Sequence, residues 1–71
     1  TIPKLNVPKL ILNDSGYLIE SNNAYASVGW RNKNESAWKV YTAKELINPE
    51  DDFEVLLFRP GYEVLVKTFK K

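Results

Sequence analysis

The sequence predicts an all-β or β-dominated α+β domain. Five or six short antiparallel strands run as successive hairpins into a small barrel or compact sandwich, with one short helix near residues 43–48. Three observations predict it. Turn signals recur along the chain at Asp14-Ser15-Gly16, Ser21-Asn22-Asn23, Asn32 to Ser36 and Pro60-Gly61. Between them lie short runs in which apolar and polar residues alternate with a period of two. Helix signals are confined to one segment, where Thr42-x-x-Glu45 forms a capping-box pattern, Leu46 and Ile47 supply apolar anchors and Asn48-Pro49 ends the run. Residues 1–71 read as a single domain, with residues 1–8 an extended arm kept out of helix by Pro3 and Pro8.

The clearest element is Phe53 to Phe69, a hairpin reversing at Arg59-Pro60-Gly61-Tyr62. Proline there presets φ and glycine accepts a positive one. With Pro60 and Gly61 as the central pair, Phe58 faces Glu63, Leu57 faces Val64, Leu56 faces Leu65 and Val55 faces Val66. Phe53, Val55, Leu57, Val64 and Val66 then form the inward face, and Leu56, Phe58 and Leu65 form an apolar group on the other. A one-residue slip that set Leu57 opposite Glu63 and Phe53 opposite Lys67 would mix the faces, so the sequence disfavours it. The turn type is less defined, because a type II turn at Pro-Gly twists against the usual hairpin sense.

Earlier in the chain, LILN and YLIES flank Asp14-Ser15-Gly16 as a hairpin with a three-residue loop, Leu12 facing Leu18 and Ile11 facing Ile19. Both faces then carry apolar side chains, which suits a central place in a sheet. Ala24, Ala26, Val28 and Trp30 alternate with Tyr25, Ser27, Gly29 and Arg31, so this run reads as a strand. A helical Asn22 to Trp30 segment is the alternative, opposed by Gly29 and the β-branched Val28. Across the polar loop, Trp38 and Val40 alternate with Lys39 and Tyr41. A five-residue loop sets Trp30 opposite Trp38, which places both indoles in the core.

Composition narrows the chemistry. With no cysteine and no histidine, the chain has no thiolate metal site, no cysteine nucleophile and no imidazole base. No catalytic residue, cofactor site or metal site is assigned, and the domain is read as non-enzymatic. Glu50-Asp51-Asp52 lacks the alternating spacing of a calcium loop and reads as a solvated turn. Asn34-Glu35-Ser36 matches a glycosylation acceptor, and with no secretory signal expected the match reads as chance. Net charge is +1, far from the strongly basic balance of sequence-independent nucleic-acid binders. No apolar run is long enough to span a bilayer, so no membrane partner is expected, and the absence of cysteine fits a cytoplasmic location. Thr1 follows the pattern left by initiator-methionine removal, which suits a whole protein as well as an excised domain.

Two surfaces remain as candidates. The first would bind a protein, either another chain or a second copy of this one, through the exposed face carrying Leu56, Phe58, Leu65 and Glu63. A chain of this length removes only about 60% of its unfolded surface from water, so such a group needs a cover. The second would bind single-stranded DNA or RNA as small barrels do, with Tyr25 and Tyr41 stacking on bases and Arg31 and Lys39 following the backbone. The lysines near the two termini read as ordinary solvated charges. No stretch carries a motif specific to one family.

Overall fold

The computed structural model describes all of residues 1–71, in seven short strands and no helix. They are β1 (Lys9–Asn13), β2 (Gly16–Glu20), β3 (Ser27–Asn32), β4 (Lys39–Val40), β5 (Leu46–Ile47), β6 (Phe53–Phe58) and β7 (Leu65–Phe69). Two antiparallel sheets result, one ordered β1-β2-β5 and the other β4-β3-β6-β7. The expected barrel is not closed, and the strands do not pair only as successive hairpins. β5 joins β2, and β6 returns to β3 along its full length from Ser27↔Phe58 to Asn32↔Phe53. That long pairing sets Val55 opposite Trp30 and Leu57 opposite Val28, so apolar groups gather on one face.

The core lies where this face meets the smaller sheet. Phe53, Val55 and Leu57 are wholly buried beside Trp30 of the same sheet, Ile19 and Ile47 come from the smaller sheet, and Tyr41 and Leu5 complete the cluster. Each such side chain contributes about 1.5–3 kcal/mol by leaving water. Phe53 is the hub, 5.6 Å from the Phe69 ring in a stacked pair, 5.8 Å from Tyr17 and 6.5 Å edge-on from Trp30. Only 12 of 71 residues are buried, so many apolar side chains remain at the surface, and their placement decides what the surface can bind.

All three hairpins are shifted by one residue from the expected registers. In the first, Asp14 and Ser15 form a two-residue turn between Asn13 and Gly16, which sets Leu12 opposite Tyr17 and Ile11 opposite Leu18. Gly16 is at φ 145°, and a Cβ there would lie 2.7 Å from the Ile47 carbonyl oxygen, so the close passage of β5 requires glycine. In the second, Trp30 faces Lys39 and not Trp38. Trp30 is buried and Trp38 only half-buried. In the third, the Arg59–Tyr62 turn forms as expected, with Tyr62 N–H donating to the Arg59 carbonyl at 3.0 Å and Gly61 at φ 85°. Its twist cannot carry a tight ladder, and pairing resumes only at Leu57↔Leu65. Glu63 bonds instead to the amino-terminal arm, its N–H donating to the Pro3 carbonyl at 3.0 Å. A one-residue change exchanges the two faces of a strand. Leu65 therefore turns inward with Phe69, while Val64 and Val66 point to solvent.

The expected helix at 43–48 is absent. Glu45 N–H donates to the Thr42 carbonyl at 2.9 Å, closing a single turn with Lys44 at φ 69°, and the chain enters β5. A helix cut off at Asn48-Pro49 is too short to repay its nucleation, whereas β5 pairs with β2 and buries Ile47. β3 is a strand, as expected, but begins at Ser27 after a turn at Ala24-Tyr25. The arm is held down: Leu5 and Pro8 are buried, and Asn6 and Asn23 exchange bonds of 2.7 and 2.8 Å.

Candidate functional site

The face of the four-stranded sheet turned away from the core is unusually apolar. One cross-strand row runs through every strand as Val40, Gly29, Leu56 and Val66. Beside it Phe58 lies opposite Ser27, with Val64 just beyond the end of β7. Val40 is 84% exposed and Phe58 45%. Having no side chain, Gly29 leaves the row open at its middle, and a shallow groove of about 180 Å³ runs there between Trp38, Val40, Leu56 and Phe58. The next row is polar, with Arg31 opposite Glu54 and Glu54 opposite Thr68. Arg31 Nε donates to Glu54 Oε1 at 2.9 Å, and its guanidinium covers the Trp38 ring at 4.4 Å. The face thus has an apolar middle and a charged border.

Leu56 and Phe58 share this surface as the sequence predicts. Leu65 does not join them, because the shifted register packs it against the core. Glu63 is exposed, but its backbone is occupied by the arm. The residues missed in the sequence are Val40, Val64 and Val66. For Val64 and Val66 the signal that could have found them is the poor match between an L-Pro-Gly turn and hairpin twist, which argues for a longer connection and hence the other parity; Val40 follows from the separate one-residue shift of the β3–β4 pair.

The aromatic and basic set is scattered. Tyr25 is 89% exposed, with the Arg59 guanidinium 5.5 Å from its ring. Tyr41 is buried and structural, its hydroxyl donating to the Glu45 carbonyl at 2.6 Å and accepting the Ile19 N–H at 3.1 Å. Arg31 is committed to Glu54. Lys39 Nζ lies 2.9 Å from Glu35 Oε1 and 4.4 Å over the Trp30 ring. Glu35 is held by several donors at once: Lys39, then the backbone and side chain of Asn32, at 2.8–3.1 Å. They stabilise its charged form and push its pKa from 4.5 down to about 2, led by the Lys39 bond.

A wider, half-open cleft of about 740 Å³ lies beyond Val40, walled by Ile11, Leu18, Ile19, Val28 and Tyr41, with Glu20 and Lys44 at its rim. Val40 and Val28 border both depressions. The acidic turn is used internally. Asp52 Oδ1 accepts the Lys71 N–H at 3.0 Å, and the Asp52 carbonyl accepts the Lys33 N–H at 2.8 Å. No group of three His, Cys, Asp or Glu residues is placed to hold a metal ion. No helix is long and apolar enough to cross a membrane. No protein-family model matches the chain, and the comparisons with curated proteins and with solved structures return no match either.

Proposed function

We propose that the domain is a non-enzymatic protein-interaction module that receives another protein on the outward face of its four-stranded sheet. The supporting observation is the outward row Val40–Gly29–Leu56–Val66, exposed at Val40 and Val66 and half-buried at Leu56, with the exposed Phe58 beside it and the Arg31–Glu54 pair at its border. An apolar centre within a charged rim is the usual layout of a protein interface, and isolated soluble domains rarely leave such a strip uncovered. The Gly29 groove would receive one anchoring side chain, with Phe58 and Val40 as its walls.

A photoreactive amino acid placed at Val66 tests this in lysate of the native host, treated and untreated with nuclease. Crosslinks to a defined protein that survive nuclease and vanish in a Phe58→Glu background are expected. Crosslinks lost on nuclease treatment would favour the nucleic-acid reading. That reading has less support, since Tyr41 is internal and Arg31 and Lys39 already have carboxylate partners.

A further inference from the structure

β1 lies at the edge of its sheet, with β2 on one side and no strand on the other. The sequence suggested a central place for this hairpin because both of its faces are apolar; the structure leaves that demand unmet. Ile11 and Leu12 are exposed, Leu12 by 74%. The four sheet edges differ in how they are guarded. β4 and β5 offer two residues each, too few to template a partner. β7 carries Lys67 at its middle, so self-pairing centred there would set two ammonium groups side by side. β1 is five residues long, and its only charge is Lys9 at one end.

The hydrogen-bonding parity of β1 follows from its neighbour. Ile19 N–H donates to the Tyr41 hydroxyl and so points away from β1, which makes Leu10↔Ile19 a non-bonded pair of the antiparallel ladder. By the same alternation Leu12↔Tyr17 is non-bonded. The N–H and C=O groups of Leu10 and Leu12 therefore point outward, and none of them has a partner in the chain.

We propose that the β1 edge pairs antiparallel with the β1 edge of a second copy, about a twofold axis at Ile11, fusing two three-stranded sheets into one. That axis sets Leu10 opposite Leu12 of the second copy, where each residue's outward N–H meets the other's C=O. Every free group of both strands is satisfied by the same operation. Lys9 falls opposite Asn13 of the second copy, one residue from its Asp14, so the pairing brings opposite charges near and no like charges together. Ile11 meets its own copy. It lies in a cross-strand row with Leu18 and Leu46, so this row becomes one apolar ridge continuous through the axis. The contact is distinct from the Phe58 face and does not depend on the function proposed for it.

Sedimentation velocity with amide exchange on the intact chain tests the pairing. Strand-edge contacts of this size belong to the weak class below about 1,200 Å², so roughly 10 µM to 1 mM should be covered. The mass should rise from the 8.2 kDa of one chain towards twice that value, and the Leu10 and Leu12 amides should exchange more slowly as concentration increases. Leu12→Pro deletes an N–H that the monomer does not use, at an edge position that accepts proline. It should raise the dimerisation midpoint by about tenfold or more, as should Leu12→Lys. Phe58→Glu should leave the midpoint unchanged. A monomer throughout the range would overturn the proposal, as would a dimer in which the Leu10 and Leu12 amides exchange freely at every concentration. These exchange rates, read on the unmodified chain, decide the matter even if a variant fails to fold.

Discussion

The Ile19 N–H donates to the Tyr41 hydroxyl oxygen at 3.1 Å, so a backbone group in the smaller sheet finds its partner in a side chain just beyond β4 of the larger one. The same hydroxyl donates to the Glu45 carbonyl at 2.6 Å, which fixes the turn leading into β5. Tyr41→Phe keeps the buried ring and strands both backbone groups. A loss of about 1–3 kcal/mol is expected, read from the urea unfolding midpoint.

Leu57 is wholly buried between β3 and β7. Leu57→Ala should cost about 2–5 kcal/mol, enough to unfold much of a domain this small. An almost unmoved midpoint would mean that β6 faces the other way.

The register of the last hairpin has a sharper test in adjacent residues. Leu65 packs on the core and Val66 points outward. Leu65→Lys should cost several times more than Val66→Lys, which belongs with surface changes of about 0.5 kcal/mol or less. The reverse order would restore the pairing of Val55 with Val66.

Phe58→Glu should leave the fold intact, because the ring is half in solvent beside the turn. Binding of a protein partner to the sheet face should be lost. Heteronuclear NMR spectra of the free variant separate the two effects, and wholesale loss of peak dispersion would place Phe58 in the core.

Glu35 supplies the pH dependence. Its folded pKa of about 2 lies below the ordinary 4.5, so its stabilising contribution is fully present above about pH 4.5 and is lost as pH falls towards 2. The carboxyl carbon should titrate near pH 2 by NMR. Because the pair with Lys39 is solvent-exposed, added salt should move that midpoint upward.

How much of this was legible depends on how uneven the two faces of each strand are. In β6, Phe53, Val55 and Leu57 alternate with a charged Glu54, and the inward face was readable without the structure. In β1 and the stretch before and into β7, adjacent apolar residues such as Ile11-Leu12 and Val64-Leu65-Val66 satisfy either parity. Register then rests on turn geometry, where one residue reverses the outcome. The candidate surface inherited that error at Leu65 and kept Leu56 and Phe58, which lie on the readable strand. The β3–β6 pairing left no local trace, since its partners are brought together only by the chain between them. The capping pattern at Thr42 was a true turn signal with too little chain after it for a helix.

The order in which the chain visits its sheets also governs how it can come apart. β1 and β2 belong to one sheet, β3 and β4 to the other, β5 returns to the first, and β6 and β7 complete the second. Neither sheet is contiguous in sequence, so neither can be assembled or peeled away as an autonomous segment. Thermal unfolding should therefore be a single cooperative event, with calorimetric and van't Hoff enthalpies in agreement. A chain cut between β5 and β6 should regain order only when both pieces are mixed.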